Sequence, residues 1–180
     1  MKILKKILIG IGAVIALLLI IALFVKKEYA VEREVLLNKP KTTVFDYLKL
    51  VKNQDNFSVW NMRDPNMKKT YTGTDGTVGF VYGWDSENKK VGTGEQEIKK
   101  ITDGERIDFE LRFTKPFEAT DNAYFSTEMI DSTHTKVKWG TYGKIKYPMN
   151  LMVTCMMNMD EMLGKDLQDG LNNLKAVLEK

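Results

Sequence analysis

This 180-residue chain has one histidine and one cysteine, and its more numerous carboxylates, lysines and tyrosines are not spaced in any recognisable catalytic pattern. His134 is the single histidine, and it closes the turn-forming run Asp131-Ser132-Thr133-His134. That placement reads as an exposed loop position rather than as a general base with a pKa near ~6.5. Cys155 is the single cysteine; it falls on the apolar side of a helical pattern, reads as buried filler, and permits no intramolecular disulfide. One histidine and one cysteine exclude a His-based metal cluster, and the carboxylates show no metal-ligand spacing, so neither metal nor cofactor is expected. Glu95 and Glu97 share a strand face as a candidate carboxylate pair, although on an antiparallel strand that face is ordinarily the solvated one. There is no phosphate-cradling glycine loop and no serine nucleophile elbow. No catalytic residue can be named on these grounds.

The stronger signal is apolar. From Ile7 to Val25 (ILIGIGAVIALLLIIALFV) nineteen residues carry no charged or strongly polar side chain, close to the roughly twenty a helix needs to cross a bilayer core. A cleaved signal peptide has an apolar region of about 7–15 residues and a small-residue exit. Here the exit is Leu23-Phe24-Val25-Lys26-Lys27. A buried core helix of this length would show a polar face. Residues 1–28 therefore read as a retained membrane anchor, making the chain single-pass. Lys2, Lys5, Lys6 and the amino terminus precede the run and Lys26 and Lys27 follow it. Basic residues favour the cytoplasmic side, so the domain leans extracytoplasmic.

Residues 29–180 are enough for one domain with its own core. The whole chain has 27 basic and 24 acidic residues, a balance that argues against a dedicated nucleic-acid surface. Much of the basic excess flanks the anchor, where it can meet anionic headgroups. The spacing predicts a strand over Tyr29 to Leu37, a helix over Lys41 to Leu50 and a short helical piece around Asn53 to Trp60. Strands follow from Val78 to Trp84, Val91 to Ile101, Arg106 to Phe113, Asn122 to Ile130 and Thr135 to Tyr142, with turn signals between them. Short turns between consecutive strands imply an antiparallel meander. From Met149 to Leu178 apolar residues recur at helical spacing, which predicts one amphipathic helix of about thirty residues. Gly164 and Gly170 within it suggest a kink or close packing.

In this order of elements the chain resembles the START/polyketide-cyclase (SRPBCC) superfamily. The resemblance lies in VEREVLLNKPKTTVFDYL (Val31 to Leu48), in the aromatic segment Asn56-Phe57-Ser58-Val59-Trp60 and in the glycines Gly92 and Gly94. It implies an α+β helix-grip fold: a curved antiparallel sheet of about six to seven strands wrapped on a long C-terminal helix, here preceded by one transmembrane helix.

The resemblance also implies an apolar cavity between sheet and helix. Its expected lining is Phe80, Tyr82, Trp84, Phe109, Leu111, Phe113 and Trp139 of the sheet with Met152, Met156 and Met159 of the helix. The same side chains would equally serve as plain core. The six methionines between Met149 and Met162 suit a surface that adapts to varied apolar shapes. Three functions stay open. One is a membrane-tethered binder of a hydrophobic small molecule or lipid. The second is a cyclase/aromatase-type enzyme using Tyr82, Glu95 or Tyr124. The third is a ligand-free domain that engages a protein partner.

Overall fold

The computed structural model describes residues 2–156 and 158–180, without the side chains of Lys2, Cys155 and Met156. The apolar run forms α1 (Lys2–Phe24). Its span Ile3–Phe24 is long and apolar enough to cross a membrane, and only 6% of its most apolar window is buried against the rest of the chain. The protein itself thus offers these side chains almost no apolar cover.

After α1 the chain enters β1 (Glu28–Leu37). Pro40 then starts α2 (Lys41–Lys49), which buries Val44, Phe45 and Leu48. A 3-10 turn (Val51–Asn56) and the short α3 (Val59–Arg63) follow. The Asp75 carboxylate fixes the turn by accepting from the Val51 and Lys52 amides at 2.8 and 3.1 Å. Six strands complete the sheet: β2 (Lys68–Thr72), β3 (Val81–Asp85), β4 (Thr93–Thr102), β5 (Arg106–Lys115), β6 (Ala119–Met129) and β7 (Thr135–Lys144). All pair antiparallel in the order β1-β7-β6-β5-β4-β3-β2, so β2 to β7 form a meander and β1 closes beside β7. The β4–β5 register shifts at Thr93/Gly94 and at Ile98/Lys100. Such bulges bend and twist a strand, which curves the sheet around what it grips.

Three sequence expectations need correction. The strand β2 was not predicted, because four of its five residues (KKTYT) are exposed and no buried alternation marks it. The strand expected from Val78 begins only at Val81; Val78 is exposed and Gly79 turns the chain with φ +87°. The thirty-residue helix is two helices, α4 (Met149–Met156) and α5 (Met159–Leu178). Asn158 lies in an extended conformation and caps α5 by accepting from the Glu161 amide at 3.3 Å. Asp160 and Glu161 in the first turn suit the positive end of the helix dipole. The apolar spacing runs on through both helices, so periodicity alone could not reveal the break.

The helix α5 buries Leu167, Leu171 and Leu174 against the concave face, where Leu37, Phe57, Ile98, Ile107, Phe109, Phe125 and Val137 complete the core. Its two glycines are close-packing positions. A Cβ at Gly170 would lie 2.6 Å from the Trp139 ring, and one at Gly164 would overlap the Arg33 guanidinium. Arg33 in turn donates to both carboxylate oxygens of Asp160 at 2.9 and 2.8 Å, which ties the start of α5 to β1.

Candidate ligand cavity

Strand alternation sends every second side chain toward α5, and the register lines these up in rows across the sheet. One row runs Tyr29, Gly143, Asp121, Leu111, Gln96, Tyr82 from β1 to β3. It holds most of the polar side chains on the concave face. On the side nearer α1 lies the row Phe113, Gly94, Trp84. On the other side lie Val31, Thr141, Ala123, Phe109 and Ile98, followed by Trp139, Phe125 and Ile107. A single polar row is thus flanked by apolar ones.

Between these rows, α5 and the α3 region is a cavity of about 290 Å³. That volume sits at the lower end of the ~300–1,000 Å³ usual for small-molecule pockets. Trp84 and Phe113 meet edge to face at 5.8 Å above Gly94, whose missing side chain leaves room for the indole: a Cβ there would lie 2.8 Å from it. Trp139 packs on Trp60 at 5.7 Å and on Phe125 at 4.9 Å, forming an aromatic floor.

The polar groups are few and specific. Tyr29 and Asp121 both reach over Gly143, where a Cβ would lie 3.0 Å from the Tyr29 ring and overlap the Asp121 carboxylate, while the Thr141 hydroxyl donates to the Asn122 carbonyl at 3.1 Å. Burial pushes the Asp121 carboxyl above the usual carboxylate range, opposed by the Tyr29 phenol beside it. Burial, and then the Asp121 charge, raise the Tyr29 phenol. The Tyr82 hydroxyl accepts from Asn61 at 3.2 Å, and that phenol too is raised, first by burial and then by the Asp55 charge. Gln54, 4% exposed, lines the cavity with an amide nitrogen that has no hydrogen-bond partner among the described residues.

Of the residues expected to line a cavity, Tyr82, Trp84, Phe109, Leu111, Phe113, Trp139 and Met159 come together around it. Phe80 does not; it precedes β3 and is buried in the core, stacked on Tyr71. Met152 is on α4 and exposed, because the helix break separates it from α5. The Met156 and Cys155 side chains lie outside the described residues. Glu95 and Glu97 face outward and bond Arg112 at 3.1 and 2.6 Å. Tyr124 is also on the outer face, bonded to Glu32 beneath the Arg106 guanidinium. His134 sits in the β6–β7 turn with Nδ1 2.9 Å from Asp131.

Sequence reasoning missed Tyr29, Gln54, Ser58, Asn61, Gln96, Asp121 and Thr141. Asp121 was discoverable: it continues the alternation of Ala123 and Phe125, an acid on an apolar face. Gln54 and Asn61 carry no such signal, since they come from the irregular segment before the sheet.

No family model and no curated protein sequence matches the chain. Solved structures do. Norcoclaurine synthase from Thalictrum flavum is similar with a TM-score of 0.61 at 11% identity, over 85% of this chain and 95% of that one. Ara h 8.0201 gives 0.56 at 14%, over 85% of this chain and 99% of its own. DynU16, a putative protein of the dynemicin biosynthetic locus, gives 0.58 at 12%, over 84% of this chain but 47% of its own. Together with the strand order, this likeness shows that the chain carries the helix-grip fold, with an apolar N-terminal helix added.

Proposed function

We propose that this protein is a membrane-anchored binding domain that holds a hydrophobic small molecule between the sheet and α5. Residues 1–28 serve as the anchor and residues 29–180 as the binding domain. The observation that carries this reading is the cavity of about 290 Å³, apolar and rich in aromatic rings, with a few polar side chains set into its wall. A packed interaction domain has no need of that space, since protein interiors otherwise leave few voids larger than a water molecule. The volume suits a ring system or a single short chain and is too small for a two-chain lipid.

The connection to α1 supports a membrane setting. Asn150 of α4 donates to the Ala22 and Val25 carbonyls at 2.7 and 3.2 Å, and the Tyr147 hydroxyl donates to the Leu19 carbonyl. The α4 helix is thereby held against the end of α1. A groove of about 560 Å³ runs between α4, the α1 exit and β1, and Tyr29 and Met159 line both it and the cavity. A molecule leaving the bilayer beside α1 would reach the cavity between those two side chains. The lysine distribution favours a cytoplasmic amino terminus and so a domain on the outer side. The enzyme alternative loses support, because two of its three candidate groups, Glu95 and Tyr124, face away from the cavity.

Native mass spectrometry of the full chain released from detergent tests the reading. The expected result is a reproducible extra mass that organic extraction removes. No extra mass, with no uptake from a mixed lipid extract, would overturn it.

A further inference from the structure

The cavity wall contains one acidic group whose surroundings fit no structural role. Asp121 faces inward between Leu111 and Gly143 and lines the cavity, with the Tyr29 ring beside it over Gly143. No lysine, arginine or histidine pairs with it among the described residues, although the outer face of the same sheet is laced with ion pairs such as Lys138–Glu32 and Arg112–Glu97. An ionised carboxylate offers about four lone-pair sites, and removing it from water without a cation is unfavourable. Tyr29 lines the cavity beside it. The apolar wall supplies nothing more.

We propose that Asp121, beside Tyr29, binds the protonated amine of a small single-chain or ring-bearing amphiphile whose apolar body lies among Phe109, Phe125 and Trp139. This rests on the binding function proposed above and specifies its ligand class. A cationic donor meets both deficits of Asp121, charge and hydrogen bonding, where a neutral hydroxyl meets only the second. The position fits an amphiphile as well. Tyr29 is the second residue of β1, so the β1 end of the polar row lies next to the α1 exit, and the aromatic floor of Trp139 and Phe125 lies deeper. A molecule entering from the α1 side inserts its apolar end first and leaves its head at Asp121. The unpartnered Gln54 amide nitrogen offers a second, neutral donor for an oxygen on the ligand body.

The test uses the full chain in phosphatidylcholine nanodiscs and three probes that differ only in the head: n-octylamine, octan-1-ol and octanoate. Calorimetric titration is corrected with empty nanodiscs. Octylamine is expected to bind at least about ten-fold more tightly than octanol, with octanoate weakest. Asp121→Asn should remove the preference, leaving octylamine bound no more tightly than octanol. Equal binding of the amine and the alcohol to the unmodified chain overturns the proposal whatever the variant does, as does an amine preference that survives in Asp121→Asn. Failure of all three probes to bind removes the cavity-binding function itself, and the amine site with it.

Discussion

The Asp121 carboxylate on β6 fills the volume that any side chain at its register partner Gly143 on β7 would need. Gly143 does not have a left-handed backbone, so its role is space and not flexibility. That space lets Asp121 and Tyr29 approach one another across an intervening strand. Gly143→Ala should push them apart, and overpacking of this kind destabilises by about 1–3 kcal/mol. Thermal unfolding should then fall by roughly 2–4 °C per kcal/mol. An unchanged midpoint would mean the carboxylate has another place to go.

A similar argument applies to Gly170 on α5, where a Cβ would sit 2.6 Å from the Trp139 ring and 3.5 Å from the Phe57 carbonyl. Alanine in a helix interior is favoured over glycine by about 1 kcal/mol. The buried indole has little freedom to retreat, so the clash should outweigh that gain. Gly170→Ala is expected to lower stability by about 1–2 kcal/mol and to shift tryptophan emission as Trp139 moves. A more stable variant would show that α5 slides easily over the sheet.

Asn150 is fully buried and its amide nitrogen caps the Ala22 carbonyl near the end of α1. Replacing it with alanine leaves that carbonyl unpaired, a loss of about 1–3 kcal/mol. The loss should be local. Hydrogen–deuterium exchange should accelerate across α4 and remain unchanged in β5 to β7. Acceleration throughout the sheet would contradict the view of α4 as a separately held element.

Acid should affect two groups of carboxylates in opposite ways. Asp131 is held down to about 2, first by the Thr133 backbone and then by the His134 and Thr133 side chains. Asp160 is held below its usual value by Arg33, and Glu97 by Arg112 and Lys99. Their folded states bind protons less readily than the unfolded chain. Their contribution is therefore complete above the unfolded carboxylate range of about 3.9–4.3 and disappears as pH falls through the lower folded values. Asp121, raised by burial, has the reverse sign: it opposes folding once ionised. Asp121→Asn should be more stable than the parent at pH 7, with the difference closing as pH falls toward about 3.9. Denaturant unfolding at a series of pH values checks both limbs, and an Asp121→Asn variant less stable at pH 7 would reverse the assignment.

The sequence by itself determined the elements whose side chains repeat with a clear period. The alternation Ile107, Phe109, Leu111, Phe113 marked β5, the uniform run from Ile7 to Val25 marked α1, and the order of strands and helices was enough to indicate the helix-grip fold. Where burial does not alternate, as in Lys68–Thr72, no signal existed to read. Where one period crosses a break, as at Asn158, the capping residue rather than the apolar pattern held the information. The candidate cavity was legible as a set of inward aromatics, but sequence gives the face of a strand and not the neighbour across the sheet. Only the tertiary structure decided that Tyr29 and Asp121, 92 positions apart in sequence, meet over Gly143. It also decided that Phe80 packs in the core and that Met152 is exposed on α4 rather than beneath the sheet. Periodicity is a property of one strand or helix, whereas register between strands is set by their mutual packing, and it is register that assembles a binding site.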